Sequence, residues 1–155
     1  MQAFDPHARR RAAFTLIEIM AVVLIMGLLM GIVGTVVFSQ VDKARVTTGN
    51  SQIRQLEAAL DFYRMDNGNY PTGEQGLDAL VNRPAIEPEP RGWREEGYLQ
   101  GRRLPKDPWG EPYQYAEPGT HNPYSFDLWS LGADRKPGGE GVDADVGNWF
   151  EEETS

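Results

Sequence analysis

The clearest feature of the hydrophobic and polar pattern is a run of 26 residues, 14–39, in which nearly every position is apolar. A helix needs roughly 20 mainly apolar residues to cross a bilayer core, so this run predicts a membrane-spanning helix. Arg9, Arg10 and Arg11 stand directly before it, which predicts that this end stays in the cytoplasm and that the rest of the chain is exported. The run exceeds the roughly 7–15 apolar residues of a cleaved secretory signal, so we expect it to be retained.

Beyond residue 39 the pattern changes to a polar helix with one apolar stripe. The stripe residues recur at helical spacing: Ile53, Leu56, Ala59, Leu60 and Tyr63. One continuous helix is therefore predicted from residue 14 to about residue 65. Its first half would lie in a membrane or a helix bundle, and its second half would pack on a small globular domain. The turn-forming cluster at 66–71 ends it.

Shorter elements follow the long helix. Residues 72–81 predict a short helix whose apolar side chains face inward, and 84–97 predict an irregular surface loop rich in proline and glycine. Apolar and polar residues alternate over 113–115 and again over 124–128, which predicts a β-hairpin closed across 117–122. The predicted class is α+β, with one long N-terminal helix packed on a small antiparallel sheet.

Composition narrows the range of functions. The 155 residues include no cysteine, which excludes disulfides and thiol chemistry. The net charge is −8, and because the first 13 residues hold three Arg and one Asp, the remaining residues include 12 basic and 22 acidic side chains, a net charge of −10. A surface of that sign repels phosphate backbones, so no nucleic-acid partner is expected.

The sequence offers few candidate catalytic residues. His121 is the single histidine after the first 13 residues, which excludes a three-histidine metal centre. Ser125 and Ser130 lack the sequence context of a nucleophile elbow. We therefore expect a structural protein and not a membrane-anchored hydrolase.

The residues around the start of the apolar run carry a specific motif. Residues 10–18, RRAAFTLIE, resemble the class III signal of type IV prepilins and pseudopilins. The resemblance implies that a prepilin peptidase removes a cytoplasmic leader, 1–13, by cutting between Ala13 and Phe14, and then methylates the new amine of Phe14. The family usually has glycine where Ala13 stands.

Glu18 is the only charged residue in the apolar run. An ionised carboxylate near a bilayer centre costs about 3 kcal/mol, so it needs either a route to the interface or a partner. The resemblance implies a partner: the carboxylate would neutralise the terminal amine of Phe14 in a neighbouring subunit during assembly.

Three further segments, 66–81, 103–115 and 130–149, resemble the major pseudopilins of the type II secretion system, within the type IV pilin-like superfamily. The resemblance implies that 14–39 form the filament core and 40–155 a periplasmic head. It implies a helical homopolymer that drives exoproteins through the outer membrane. Its partners would be minor pseudopilins, the inner-membrane secretion platform and the outer-membrane secretin. The alternative is a type IV pilus major pilin or another pseudopilin forming a surface fibre; the missing cysteines and the glycine–aspartate tail favour secretion.

The tail contains a candidate metal site. Asp134, Asp143 and Asp145 lie on a glycine-rich loop, and calcium takes six to eight oxygen ligands from carboxylates and backbone carbonyls. From the residues alone, a solvated acidic turn is the favoured interpretation, because acidic loops are common. The resemblance implies calcium, Ca2+, held by the three aspartate side chains and the carbonyl of Leu131.

Overall fold

The computed structural model describes residues 14–149, without the side chains of 32–39. The predicted leader, including Ala13, lies outside the described residues. The chain forms two compact units, the first ending at Gln40 and the second beginning at Val41.

Helix α1 covers Leu16–Asn67, 52 residues without a proline, which confirms the predicted single long helix. Its end is set by Gly68, which adopts a φ of 90° and donates its backbone N–H to the carbonyl of Arg64 over 2.7 Å. A glycine in the left-handed region is the common C-terminal stop of an α-helix, because a side chain makes that conformation sterically costly. Glu18 lies in the first turn and Arg64 in the last, which suits the helix dipole.

In the first unit, the described apolar side chains of α1 are largely exposed. Leu16, Leu24 and Met30 keep 80%, 75% and 74% of their surface. None of the helices, taken over their described residues, offers a stretch of the length and hydropathy that a bilayer crossing needs. That 14–39 span a membrane stays a prediction.

The second unit is built around the predicted stripe of α1. All five stripe residues are buried, and Leu56 and Leu60 have no exposed surface. They pack against apolar side chains from the rest of the unit: Leu77, Ala79, Leu80, Tyr113, Phe126, Leu128 and Val146. Three of these lie in the short 3-10 helix Leu77–Leu80, the predicted short helix, and a second 3-10 turn covers Gln100–Arg102. The helical pattern therefore correctly predicted which face of α1 forms the core.

Three short strands form one antiparallel sheet in the order β1, β2, β3. They cover Gln114–Ala116, Asp127–Ser130 and Val146–Gly147. Tyr115 lies opposite Leu128, which confirms the predicted hairpin, although Tyr124 stays outside β2 and is fully exposed. β3 was not predicted, because two residues, one of them glycine, leave no alternating pattern.

Candidate functional site

The predicted calcium ligands lie on the loop between β2 and β3. Its two arms are held together by a hydrogen bond from the backbone N–H of Ala133 to the carbonyl of Val142, 3.0 Å long. Gly132 has a φ of 67°, and a Cβ there would lie 2.7 Å from the carbonyl oxygen of Ala144. Glycine is needed at this position for both reasons, and it lets the start and the end of the loop meet.

The structure places the three aspartates on this loop in different surroundings. One carboxylate oxygen of Asp134, which is exposed, accepts the backbone N–H of Lys136 over 3.0 Å. In Asp145, Oδ2 accepts the backbone N–H of Gly138 over 3.0 Å, while Oδ1 is buried with no hydrogen-bond partner. Asp143 is half-buried, as is Leu131. Within residues 14–149 as described, no three acidic or histidine side chains are gathered closely enough to hold a metal ion.

A buried carboxylate fixes the base of this loop. Asp107 and Ser130 are 5% and 0% exposed, and the Ser130 hydroxyl donates to Asp107 Oδ2 while accepting the backbone N–H of Gly132. The other oxygen, Asp107 Oδ1, accepts the backbone N–H groups of Trp109 at 3.0 Å and Glu111 at 2.7 Å. The sequence predicts only a turn at 107–110. The Asp-Pro dipeptide at its start was the available signal, since such aspartates bond to the backbone just after them.

A second buried carboxylate organises the hairpin loop. Asp127, 2% exposed, accepts the backbone N–H groups of Thr120, His121 and Asn122 over 2.7, 2.8 and 3.0 Å. The Asn122 side-chain amide donates to it as well, and the His121 ring nitrogen Nδ1 lies 3.2 Å away. Burial alone would raise the pKa of Asp127, but the hydrogen bonds from His121 and Asn122 outweigh it and the pKa is lowered.

Aromatic rings connect the hairpin loop to the end of the sheet. The His121 ring stacks on Trp149 with centroids 4.0 Å apart, and Trp149 lies over Gly147, where a Cβ would meet its ring at 2.5 Å. Trp129 lies 6.1 Å from Trp149, and the two help to line a cavity of about 370 Å³ that also borders Asp145. The candidate calcium loop therefore shares a wall with this aromatic cluster.

The two residues of the predicted assembly pair lie at the other end of the described chain. Phe14 is 76% exposed, and Glu18 is exposed on the first turn of α1. The backbone N–H of Glu18 points to the Thr15 side chain and carbonyl at 3.3 and 3.1 Å. Both side chains are thus exposed in the described chain.

The chain matches two family profiles. The profile described as prokaryotic N-terminal methylation motif covers residues 8–34, which defines the broad class. The profile of type II secretion system (T2SS) protein G covers residues 36–149. The chain belongs to the family of type II secretion system protein G.

Named relatives and a solved structure agree with this family. The type II secretion system core protein G of Pseudomonas aeruginosa is 52% identical over 141 residues, covering 91% of this chain and 96% of the relative. The corresponding protein of Vibrio cholerae is 48% identical, covering 91% and 93%. The fold also matches the crystal structure of the major pseudopilin from the type 2 secretion system of enterohaemorrhagic Escherichia coli, with a TM-score of 0.62. The two sequences are 46% identical, and the match covers 72% of this chain and 92% of the pseudopilin chain.

We expect Asp127→Asn to lower the free energy of unfolding by about 2–4 kcal/mol at neutral pH, because a charged acceptor of several hydrogen bonds is lost. The pKa of Asp127 is lowered by folding, so its contribution is present above the unfolded value of about 3.9 and is lost as the pH falls through the folded value. The difference between variant and wild type should therefore shrink in acid.

Urea unfolding followed by tryptophan fluorescence measures the free energy of unfolding of the second unit, since all four tryptophans lie beyond residue 40. The control is Glu74→Gln, which neutralises an exposed carboxylate in the same unit. A difference that is the same at every pH would show that the carboxylate charge is not what matters.

Proposed function

We propose that this chain is the major structural subunit of the periplasmic pseudopilus of a type II secretion system, and that it polymerises into the filament that drives exoproteins through the outer membrane. The observation that carries the proposal is the family match across 36–149. The shared fold of a solved major pseudopilin at 46% identity supports it. The chain itself would do no chemistry: Ser130 is buried against Asp107, and His121 and Asp127 are used to hold a loop.

The apolar surface of the first unit supports polymerisation. A run of exposed large apolar side chains on α1 requires a cover of lipid or of other helices. Under this proposal the cover is the inner membrane before assembly and neighbouring copies afterwards, with the C-terminus in the periplasm. Minor pseudopilins, the inner-membrane platform and the outer-membrane secretin are the further partners.

The methylation-motif match over 8–34 supports processing at the junction of Ala13 and Phe14. The leader 1–13 would be removed by the prepilin peptidase, and the amine of Phe14 would then be methylated. A small residue at position 13 leaves room for the peptidase around the scissile bond. Glu18 would then be the fifth residue of the mature chain, one helical turn from the new amine.

The processing proposal predicts that the membrane-extracted protein begins at Phe14 and carries one added methyl group, as measured by intact mass. Ala13→Leu should block cleavage because the larger side chain crowds the bond. The control is Ala13→Gly, which should be cleaved normally. Residues 1–13 found intact in assembled filaments would refute this prediction.

Glu18→Ala is expected to insert in the membrane at a normal level but to give few filaments. Removing one partner of a buried charge pair costs about 3–5 kcal/mol per contact, and this cost repeats along a polymer. Glu18→Asp, which keeps the charge, is the matched variant and should retain part of the yield. The measurement is the amount of sheared filament against the amount in the membrane fraction; equal filament yields for Glu18→Ala and wild type would assign Glu18 an interfacial role only.

Calcium binding by the loop between β2 and β3 is the second part of the proposal. The side chains of Asp134, Asp143 and Asp145 and the carbonyl of Leu131 would hold the ion. The observation that supports it is Asp145 Oδ1, a buried carboxylate oxygen with no hydrogen-bond partner, which is a costly state without a cation or water. When bound, calcium would neutralise the mutual repulsion of the aspartates and join both arms of the loop.

We therefore expect chelator to lower the melting temperature of the purified full-length protein, calcium to restore it, and magnesium to restore it poorly. Binding to the folded state alone stabilises by about 2.7 kcal/mol at a hundredfold excess over Kd. Asp134→Ala should abolish the response to calcium, whereas Glu140→Ala, on the same loop and exposed, should keep it. A melting temperature that changes neither with chelator nor with calcium would show that the loop is a plain acidic turn.

A further inference from the structure

The turn that ends α1 contains the only Asn-Gly dipeptide of the sequence, Asn67–Gly68. In such a dipeptide the glycine nitrogen has no bulky side chain beside it and can reach the preceding side-chain amide. We propose that Asn67 is a deamidation site controlled by the fold: it is protected while the second unit is folded, and it reacts when the end of α1 opens.

The reaction needs only water besides the chain. The backbone nitrogen of Gly68 attacks Cγ of Asn67, the new N–C bond closes a five-membered imide, and the side-chain nitrogen leaves as ammonia after taking up the proton of the Gly68 N–H. Water then adds to one of the two imide carbonyls and opens the ring. The product is aspartate, or isoaspartate in which the main chain runs through the former side chain.

In the folded structure both reacting groups are occupied. The Asn67 amide nitrogen donates to the carbonyl of Tyr63 over 2.9 Å and to the hydroxyl of Tyr98 over 3.0 Å. Its oxygen accepts the backbone N–H of Gly92 over 2.9 Å. The attacking nitrogen of Gly68 is itself held by the 2.7 Å hydrogen bond to the carbonyl of Arg64. Ring closure requires that these contacts break first.

The same contacts make Asn67 the clamp between α1 and the loop at 84–97. Gly92 lies so close to the helix end that a Cβ there would be 2.6 Å from the carbonyl oxygen of Asp66. Asp66 also pairs with Arg94 through contacts of 2.6 and 3.2 Å, and the Arg94 guanidinium lies over the Tyr98 ring. An opening that frees Asn67 therefore breaks the hydrogen bond by which its side chain holds Gly92 of this loop.

Deamidation would prevent the clamp from forming again. A carboxylate at position 67 has no donor for the Tyr63 carbonyl, so two acceptors would face each other. It would also add a negative charge beside Asp66 at the C-terminal end of the helix, where the dipole already disfavours one. A head that opens for long enough would thus be changed permanently.

The test incubates purified full-length protein at mildly alkaline pH, folded or in urea, and follows deamidation by mass spectrometry of the tryptic peptides 46–54, which contains Asn50, and 65–91, which contains Asn67 and Asn69. In urea, Asn67 should react faster than Asn50 and Asn69, each of which precedes a larger residue than glycine. In the folded protein its rate should be lower by about tenfold or more, because reaction requires local opening. Equal rates in folded and unfolded protein, or no excess over Asn50 in urea, would overturn the proposal.

The consequence is tested with Asn67→Asp and the matched variant Asn69→Asp, which adds the same charge at an exposed position two residues on. Asn67→Asp should lower the urea midpoint or fail to fold, and Asn69→Asp should stay near wild type. A midpoint for Asn67→Asp equal to that of Asn69→Asp would show that deamidation leaves the clamp intact and would overturn the claim of permanent change.

Discussion

Burial of one face of α1 is the interaction on which the second unit depends. Its sheet has strands of three, four and two residues, too short to be stable without a packed face. Leu56 and Leu60 are completely buried, and each such side chain contributes about 1.5–3 kcal/mol through the apolar surface removed from water. The chain has no cysteine, so no disulfide helps to hold the unit together. The sheet and loops are therefore held chiefly by attachment to the helix.

Buried carboxylates supply the second level of order. Asp107 and Asp127 are nearly inaccessible, and each is surrounded by backbone N–H groups from a loop that has little apolar material. A buried charge without partners would be strongly destabilising, so each carboxylate allows only loop conformations that direct several donors toward it. In this way one side chain fixes the path of a whole turn. Asp145, with one oxygen satisfied and one not, is the exception, and it is the residue at which we propose a cation.

Features that repeat along the chain could be predicted from the sequence, whereas features that form only when loops close could not. The stripe from Ile53 to Tyr63 repeats at helical spacing, so the helix and its buried face were predictable. The role of Asp127 and the contact of Asp107 with Ser130 were not, because these groups come together only when the loops fold. The contact of Trp149 with Gly147 is of the same kind, since it depends on the two-residue strand β3. For the candidate site, the tail aspartates were visible, but the unpartnered oxygen of Asp145 was not.

The described core of the second unit and the surface proposed for assembly use different residues. The most N-terminal buried residue described is Gly49, and every residue of the described core lies within the second unit. The described apolar side chains of the first unit are exposed, and apolar surface alone fixes no register between copies because its attraction is non-directional. Under the proposed function, the charge of Glu18 would supply that register, because a buried carboxylate accepts few alternative positions for its partner. A polymer built this way can add subunits whose heads are already folded.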